Sequence, residues 1–293
     1  HQRREHAVSA GSSTTTALGA EEARPAVPVP PAPRPRRIGF YRRHEGTLLA
    51  AAGIVAVLAG WQVVWSLGWI SPLFFSGPSA IARKFVELVA SGELQRNALF
   101  SGRSFLAGFA LAVVAGVPLG IVIGWYRRLN LALNPLINGF YATPRIALYP
   151  LIIIWFGIGS GSAIFLVFLA ATMPILLNTI AGVRNIDADL LRAARAFCAT
   201  DRQIFRTVAL PYSVPFILTG VRQAVAHGLI AVIIAELMAG NQGIGFMIAY
   251  AGQTFATDTL LVGVLLTSLA GMLLGWLTER LQRYFQRWRP SQN

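Results

Sequence analysis

Long apolar runs constrain this chain more than any other feature. A helix needs about 20 mostly apolar residues to cross the hydrocarbon of a bilayer, where backbone polar groups must bond within the segment. Six runs of this kind span residues 47–68, 98–125, 134–157, 162–182, 212–239 and 259–279. Only 13% of the residues are charged, against about 25% in soluble proteins. The sequence therefore predicts an all-α, polytopic membrane bundle with about six transmembrane helices.

Basic residues give this bundle an orientation. The chain carries a formal charge of +13, and most of its 25 lysines and arginines lie before the first run, at Arg127 and Arg128, between 183 and 207, and after 279. These segments alternate with the spans, as the positive-inside bias requires. We expect a multi-pass protein of the bacterial inner membrane with both termini in the cytoplasm. This distribution explains the charge without a nucleic-acid partner.

Residues 1–45 differ in composition from the rest of the chain. They contain a Ser/Thr cluster, six prolines between Pro25 and Pro35, and a basic end from Arg34 to Arg43. Such a composition cannot build an apolar core, so we expect a disordered Pro-rich cytoplasmic tail. It either stays solvated or rests on anionic lipid headgroups. Residues 46–293 are expected to form the transmembrane domain.

Two further patterns describe the bundle itself. The apolar positions Ile81, Phe85, Leu88 and Val89 predict an amphipathic helix over 78–91 on the outer surface, which either meets a partner or caps the bundle. Glycines and prolines are frequent in the spans, for example at Gly116. They allow close helix packing or bends along a path that opens and closes.

The inner gap at 183–211 predicts two short helices. In the first, Asp187 is a candidate N-cap and Asp189 lies in the first turn, while Leu190, Leu191, Ala194 and Phe197 share one apolar face. In the second, Thr200 to Gln203 has the form of a capping box, and Pro211 is expected to end the helix. An apolar stripe on a cytoplasmic helix pair favours docking to another protein.

At this gap the sequence resembles the ABC importer permeases. Their cytoplasmic loop has the pattern Glu-Ala-Ala, three residues, Gly, nine residues, Ile-x-Leu-Pro. Here Arg192-Ala193-Ala194 is followed at the same spacing by Cys198 and by Val208-Ala209-Leu210-Pro211. Arg192 replaces the family's Glu, which alters its polar contacts to the ATPase. Cys198 replaces the Gly, so we expect a non-glycine residue in a turn that needs positive φ.

The resemblance extends over roughly 71–280 and is strongest to permeases of the nitrate, sulfonate, taurine and bicarbonate type. It is supported by Ser76-Gly77-Pro78-Ser79, by the stretch from Pro144 to Gly159, and by Ala235-Glu236-Leu237 followed by Gly243-Ile244-Gly245. It implies a homodimer of permeases, two ABC ATPase subunits and an extracytoplasmic solute-binding protein. Residues of about 187–206 would be the coupling helices. The ATPase-coupling residues implied are Asp189, Leu190, Arg192, Ala193, Ala194, Phe197, Cys198, Leu210 and Pro211.

The chain itself lacks the chemistry of an enzyme. A nucleotide-binding P-loop needs Gly-x-x-x-x-Gly-Lys-Ser/Thr, but the only lysine, Lys84, lies in Ala-Arg-Lys-Phe. One cysteine and four scattered histidines predict neither a disulfide nor a metal site. We therefore expect a non-catalytic subunit without a cofactor, with ATP and Mg²⁺ bound by the partner ATPase.

Charged residues in the spans are candidates for the substrate path, because charge is expensive in hydrocarbon. Arg145 and Arg222 either offset the charge of an oxyanion or pair with neighbouring helices. Glu236, near the outer end of its span, is expected to tie the following Gly-rich loop.

Two alternatives remain at this point. A self-sufficient secondary transporter or channel would need coupling groups in mid-membrane, for which Glu236 is the one acidic candidate before Glu279. A membrane scaffold would explain the helix pair but not the Gly/Pro-rich spans. The solute stays open among sulfonate, taurine, nitrate, bicarbonate and heterocyclic nutrients.

Overall fold

The computed structural model describes residues 40–69 and 71–286, and these form helices joined by short turns. The helices are α1 Phe40–Ser66, α2 Pro78–Ala90, α3 Glu93–Trp125, α4 Arg127–Ala142, α5 Tyr149–Phe156, α6 Ser160–Arg184, α7 Ala188–Ala196, α8 Asp201–Ile204, α9 Leu210–Ala239, α10 Ile244–Gln253 and α11 Thr257–Gln286. A 3₁₀ turn, Arg145–Leu148, precedes α5, and a π turn, Phe205–Ala209, precedes α9. The predicted tail at 1–39 lies outside the described residues, and α1 starts six residues before the predicted domain boundary at 46.

Five of the six predicted spans form as long apolar helices: α1, α3, α6, the continuous segment Asp201–Ala239, and α11. The predicted run 134–157 does not form one continuous helix. Arg127–Ala142 and Arg145–Phe156 meet at an angle of 84°. Thr143 is extended, with φ −69° and ψ 130°, as expected for a residue before a proline, and Pro144 follows it. This third run therefore counts as a span only as a broken pair of helices.

Helix α6 lies at the centre of the bundle, packed between α3 and α9. In its most apolar window 56% of the residues are buried, the largest share of any described span. A Cβ added to Gly120 of α3 would lie 2.6 Å from the Cβ of Thr179 on α6. Three more α3 glycines, Gly108, Gly116 and Gly124, face α6 in the same way. In lipid, helices associate through such close van der Waals packing, so these glycines serve the packing role.

The predicted outer amphipathic helix forms as α2. Ile81 and Leu88 are buried in a cluster with Met247 of α10 and Val262 of α11. Phe85 and Val89, predicted on the same face, remain exposed. Helix α2 therefore caps the bundle through half of its predicted apolar face.

Candidate functional site

Helix α7 begins at the predicted cap. The side chain of Asp187 accepts a hydrogen bond from the backbone N–H of Asp189, at 2.8 Å from Oδ1 to N. This bond satisfies one of the amides that have no partner inside the first helical turn. Asp189 adds a negative charge at the positive end of the helix dipole. The predicted start of the first helix of the 183–211 gap is confirmed.

The end of α7 is a Schellman turn with a cysteine at its left-handed position. The N–H of Ala199 donates to the carbonyl of Ala194 at 3.1 Å, and the N–H of Cys198 to that of Arg195 at 2.9 Å. Cys198 has φ +56°, which confirms the positive φ expected from the sequence. Glycine usually occupies this position, and another residue costs about 1–2 kcal/mol.

The second helix of the 183–211 gap has the predicted start and a different end. Thr200 N donates to Gln203 Oε1 at 2.8 Å, and Gln203 N donates to Thr200 Oγ1 at 3.4 Å, which completes the capping box. The prediction that Pro211 ends this helix is wrong. The π turn Phe205–Ala209 bonds the N–H of Leu210 to the carbonyl of Phe205, and the helix continues as α9. The wider turn accommodates a proline that has no N–H to donate.

The apolar side of α7 faces solvent. No residue of α7 is buried, and Phe197 directly after it is 88% exposed. Leu190 is exposed and Ala194 half-buried, and we call Leu190, Ala194 and Phe197 the coupling face. Arg192 forms an ion pair with Asp189 beside it, and both side chains are mostly exposed. The exposed Leu190 and Phe197 give α7 an apolar surface patch, which makes the coupling face a candidate for contact with another chain.

Two contacts lie at the ends of the segment that contains α7 and α8, where it meets the spans. The ring of Phe205 packs edge-on against Trp125 at the end of α3, with 5.2 Å between the ring centroids. Arg184, at the end of α6, donates a hydrogen bond to Asn130 of α4, which is buried. These contacts join Phe205 to α3 and the end of α6 to α4.

At the opposite end, Glu236 fastens the Gly-rich loop. Its Oε2 accepts hydrogen bonds from Ser101 Oγ at 2.7 Å and from the N–H of Gly245 at 2.9 Å. Ser101 Oγ in turn accepts from the N–H of Ile244 at 2.8 Å, and Asn97 Oδ1 accepts from that of Gly243 at 2.9 Å. Glu236 is 1% exposed. The structure confirms that Glu236 ties the loop, and we call this set of contacts the outer knot.

Sequence reasoning did not find two members of the outer knot. Asn97 and Ser101 lie one helical turn apart at the start of α3, so they share a face. Two polar residues on one face of an apolar helix were the available signal. Their partners are 135 or more positions away in the chain, a distance that local patterns do not bridge.

The three candidate path residues lie at three separate places. Arg145 lies at the break between α4 and α5. Its Nη2 donates to the Tyr141 carbonyl at 3.4 Å, and its guanidinium lies over the Tyr141 ring. Arg222 lines a cavity of about 520 Å³ between α9 and α11. No hydrogen bond or ion pair joins Arg145, Arg222 or Glu236 to another of the three in the described chain. Arg145 therefore contacts the neighbouring helix α4 through Tyr141, whereas Arg222 forms no hydrogen bond or ion pair with a residue that the structure describes.

Comparison with known proteins gives a family and a fold. The family model described as "binding-protein-dependent transport system inner membrane component" matches residues 116–289. The most similar solved structures include an inward-facing form of the MetNI methionine ABC transporter. It has a TM-score of 0.59 and 20% identity, over 67% of this chain and 97% of the solved one.

Curated relatives cover most of the chain. A Bacillus subtilis protein provisionally named the aliphatic sulfonates transport permease SsuC is 34% identical over 86% of this chain and 90% of its own length. The taurine transport permease TauC of Escherichia coli is 34% identical over 82% and 89%. The bicarbonate transport permease CmpB of Synechococcus elongatus is 32% identical over 87% and 94%.

Proposed function

This chain belongs to the family of binding-protein-dependent transport system inner membrane components, and from this premise we propose that two copies of it form the path of an importer for a small oxyanion. The family assigns the general role. The chain is the permease subunit of an ABC importer in the inner membrane, with a separate ATPase subunit and a binding protein as partners. It is non-catalytic and binds no cofactor, and nucleotide is bound by the ATPase.

The chemistry shared by the relatives' solutes supports the oxyanion assignment. Aliphatic sulfonates, taurine and bicarbonate are the solutes for which three relatives are named. Each carries its negative charge on the oxygens of a compact sulfonate or carbonate group. Arginine binds such groups well because its planar guanidinium presents paired donors. For this reason we propose that Arg145 and Arg222 lie along the path. Glu236 would stabilise the helices that form the wall of the path.

The coupling face is the proposed seat of the ATPase, and the exposure of Phe197 is the observation that carries this proposal. Phe197 is 88% exposed, and aromatic side chains of this kind often anchor an interface by filling a pocket on the partner. Asp189, Leu190, Arg192, Ala193, Ala194 and Cys198 would surround it, with Leu210 and Pro211 at the hinge to α9. Because Arg192 is basic, its ATPase contact should be acidic or neutral.

The proposed orientation places the coupling face and both termini in the cytoplasm. It is supported by the basic residues on the coupling side, among them Arg184, Arg192, Arg195 and Arg202. In this orientation the outer knot and α2 face the binding protein. Residues 46–293 would then form one transmembrane domain, and the two copies would pair along the membrane.

The test is affinity purification of the tagged full chain from its own membranes in mild detergent. We expect an ATPase with a P-loop to co-purify, and the complex to take up a sulfonate only with ATP and the binding protein present. A lone chain that moves solute in liposomes without ATP would overturn the proposal in favour of a secondary carrier. Glu236, the acidic group that a carrier would need, is bonded through Oε2 to Ser101 and Gly245, whereas its Oε1 is buried without a hydrogen-bond partner among the described residues.

A further inference from the structure

A second cavity lies at the same end of the bundle as the outer knot. It has a volume of about 540 Å³, within the range of small-molecule sites. Its lining comes from one face of α3, the start of α6 and the loop after α9, and includes Arg96, Arg103, Ser104, Ser160 and Gln242. No aspartate or glutamate is part of this lining.

Two arginines give the cavity its charge. Arg96 and Arg103 are two helical turns apart on α3, so their side chains leave the same face at a rise of about 10 Å. Neither forms an ion pair or a side-chain hydrogen bond with any residue that the structure describes. Both side chains are exposed at the beginning of α3, so their guanidinium groups are accessible to an anion in the cavity.

Ser104 is a buried hydroxyl without a partner. It is 1% exposed, and its Oγ makes no hydrogen bond. A serine or threonine inside a helix commonly donates to the carbonyl four residues earlier, as Thr172 does to Phe168 and Ser268 to Val264 in this chain. Ser104 does not, and it lines the cavity, so its proton is available to a ligand there.

The start of α6 adds a third attraction for anions. Helix α6 is 25 residues long, its N-cap is Gly159, and no side chain caps its first turn. Ser160, the first residue of α6, lines the cavity. The positive end of the α6 dipole therefore lies beside the same space as the two arginines.

We propose that this cavity, hereafter the oxyanion pocket, binds a sulfonate-like or phosphate-like group carried on a short apolar stem. Arg96 and Arg103 would neutralise the group, and Ser104 and the α6 amides would bond its oxygens. Leu99, Phe100 and Ile164 supply apolar walls for the stem. The ligand is either a small anion arriving at the bundle's outer end or the headgroup of an anionic lipid. The pocket goes beyond the proposed function, because an importer permease would still couple to its ATPase with the pocket empty.

The binding test uses the complete permease–ATPase complex in nanodiscs of phosphatidylcholine, titrated with butanesulfonate. We expect saturable binding that Arg103→Gln weakens at least about tenfold, because a charge-assisted hydrogen bond is lost. Ser104→Ala should weaken it about two- to tenfold with no change in packing volume. Arg83→Gln is the matched control, since Arg83 is an exposed arginine of α2 that lines a different cavity. It should leave the affinity unchanged.

The lipid source is tested by native mass spectrometry of the complex extracted from membranes containing phosphatidylglycerol. If lipid fills the pocket, phosphatidylglycerol stays bound to the wild type and is lost from the Arg96→Gln/Arg103→Gln double variant, while butanesulfonate does not bind. The pocket is overturned if neither probe binds, or if both bind equally to the wild type and the double variant. Co-purification of the ATPase is a separate readout, so failure of the pocket is distinct from failure of the proposed function.

Discussion

The outer knot and the coupling face lie at opposite ends of the bundle, and they differ in whether their central side chain is buried or exposed. At the outer knot, donors from α3 and from the start of α10 converge on Glu236, which is almost wholly buried. At the coupling face, the largest apolar side chain, Phe197, lies almost wholly in solvent. The first region is held by hydrogen bonds within its own chain, whereas the second is the proposed contact with another chain. A change in the knot should therefore reduce stability, and a change in the coupling face should reduce assembly.

The largest effect is expected from Phe197→Asp. A charge in the centre of an apolar contact should weaken ATPase binding at least about thirtyfold, as loss of an interface hot spot does. Uptake should fall to background while the chain still inserts in the membrane. Co-purification and uptake measure the two effects. Phe197→Leu should keep most of the binding, and so should Phe255→Asp, which places the same charge at another exposed phenylalanine. Normal uptake by Phe197→Asp would contradict the coupling face.

The reverse pattern is expected from Glu236→Ala. It leaves the hydroxyl of Ser101 and the N–H of Gly245 buried without their acceptor, at about 1–3 kcal/mol each. Thermal unfolding in detergent should show a large loss of stability. Glu236→Gln keeps one acceptor oxygen and should lose less. The ATPase should still co-purify with the fraction that remains folded. Loss of the ATPase from folded Glu236→Ala would contradict the separate roles of the two regions.

Between the two regions lies the α3–α6 contact, which a pair of glycines can test. Gly120→Ala places a methyl group 2.6 Å from Thr179 and should cost about 1–3 kcal/mol. Gly102→Ala on the same helix meets nothing within 4 Å and should be neutral or stabilising by up to about 1 kcal/mol. Unfolding midpoints of the two variants measure the difference. Equal midpoints would show that α3 and α6 do not pack this closely.

The smallest effect is expected at Cys198. Cys198→Gly removes the strain of a left-handed non-glycine residue and should stabilise the turn after α7 by about 1 kcal/mol. Cys198→Ala keeps that strain and serves as the control. Hydrogen exchange of the α7 amides is the appropriate measurement, because the gain is local. If glycine and alanine exchange alike, the turn does not store this strain.

Local chemistry predicted much of this molecule. Five spans, the Asp187 cap, the Thr200 capping box and the left-handed turn at Cys198 all depend on residues within a few positions of one another. The prolines of the spans, Pro144 among them, allowed a bend without locating it, and Pro211 was expected to end a helix that continues. A proline inside an apolar run is compatible with a bend, a wider turn or a helix end. Only the surrounding packing selects among these outcomes.

Long-range contacts account for the other omissions. The sequence indicated that Glu236 ties a loop but not that Ser101 and Asn97 hold that loop with it. Likewise, Arg103 and Ser104 are ordinary residues in the α3 run, and only the fold brings Ser160 and Gln242 beside them. Patterns along one helix specify which face is polar, whereas the partner of that face depends on the packing of the whole bundle.

The single cysteine offers the most direct test of the coupling face. Cys198 is exposed, lies next to Phe197 and is the only cysteine in the chain. A membrane-impermeant maleimide should label it rapidly in the purified permease and in inside-out vesicles stripped of ATPase, and should not reach it in intact right-side-out vesicles. Bound ATPase should slow the labelling several-fold. Equal labelling rates with and without the ATPase, or labelling from the outer side, would contradict the account.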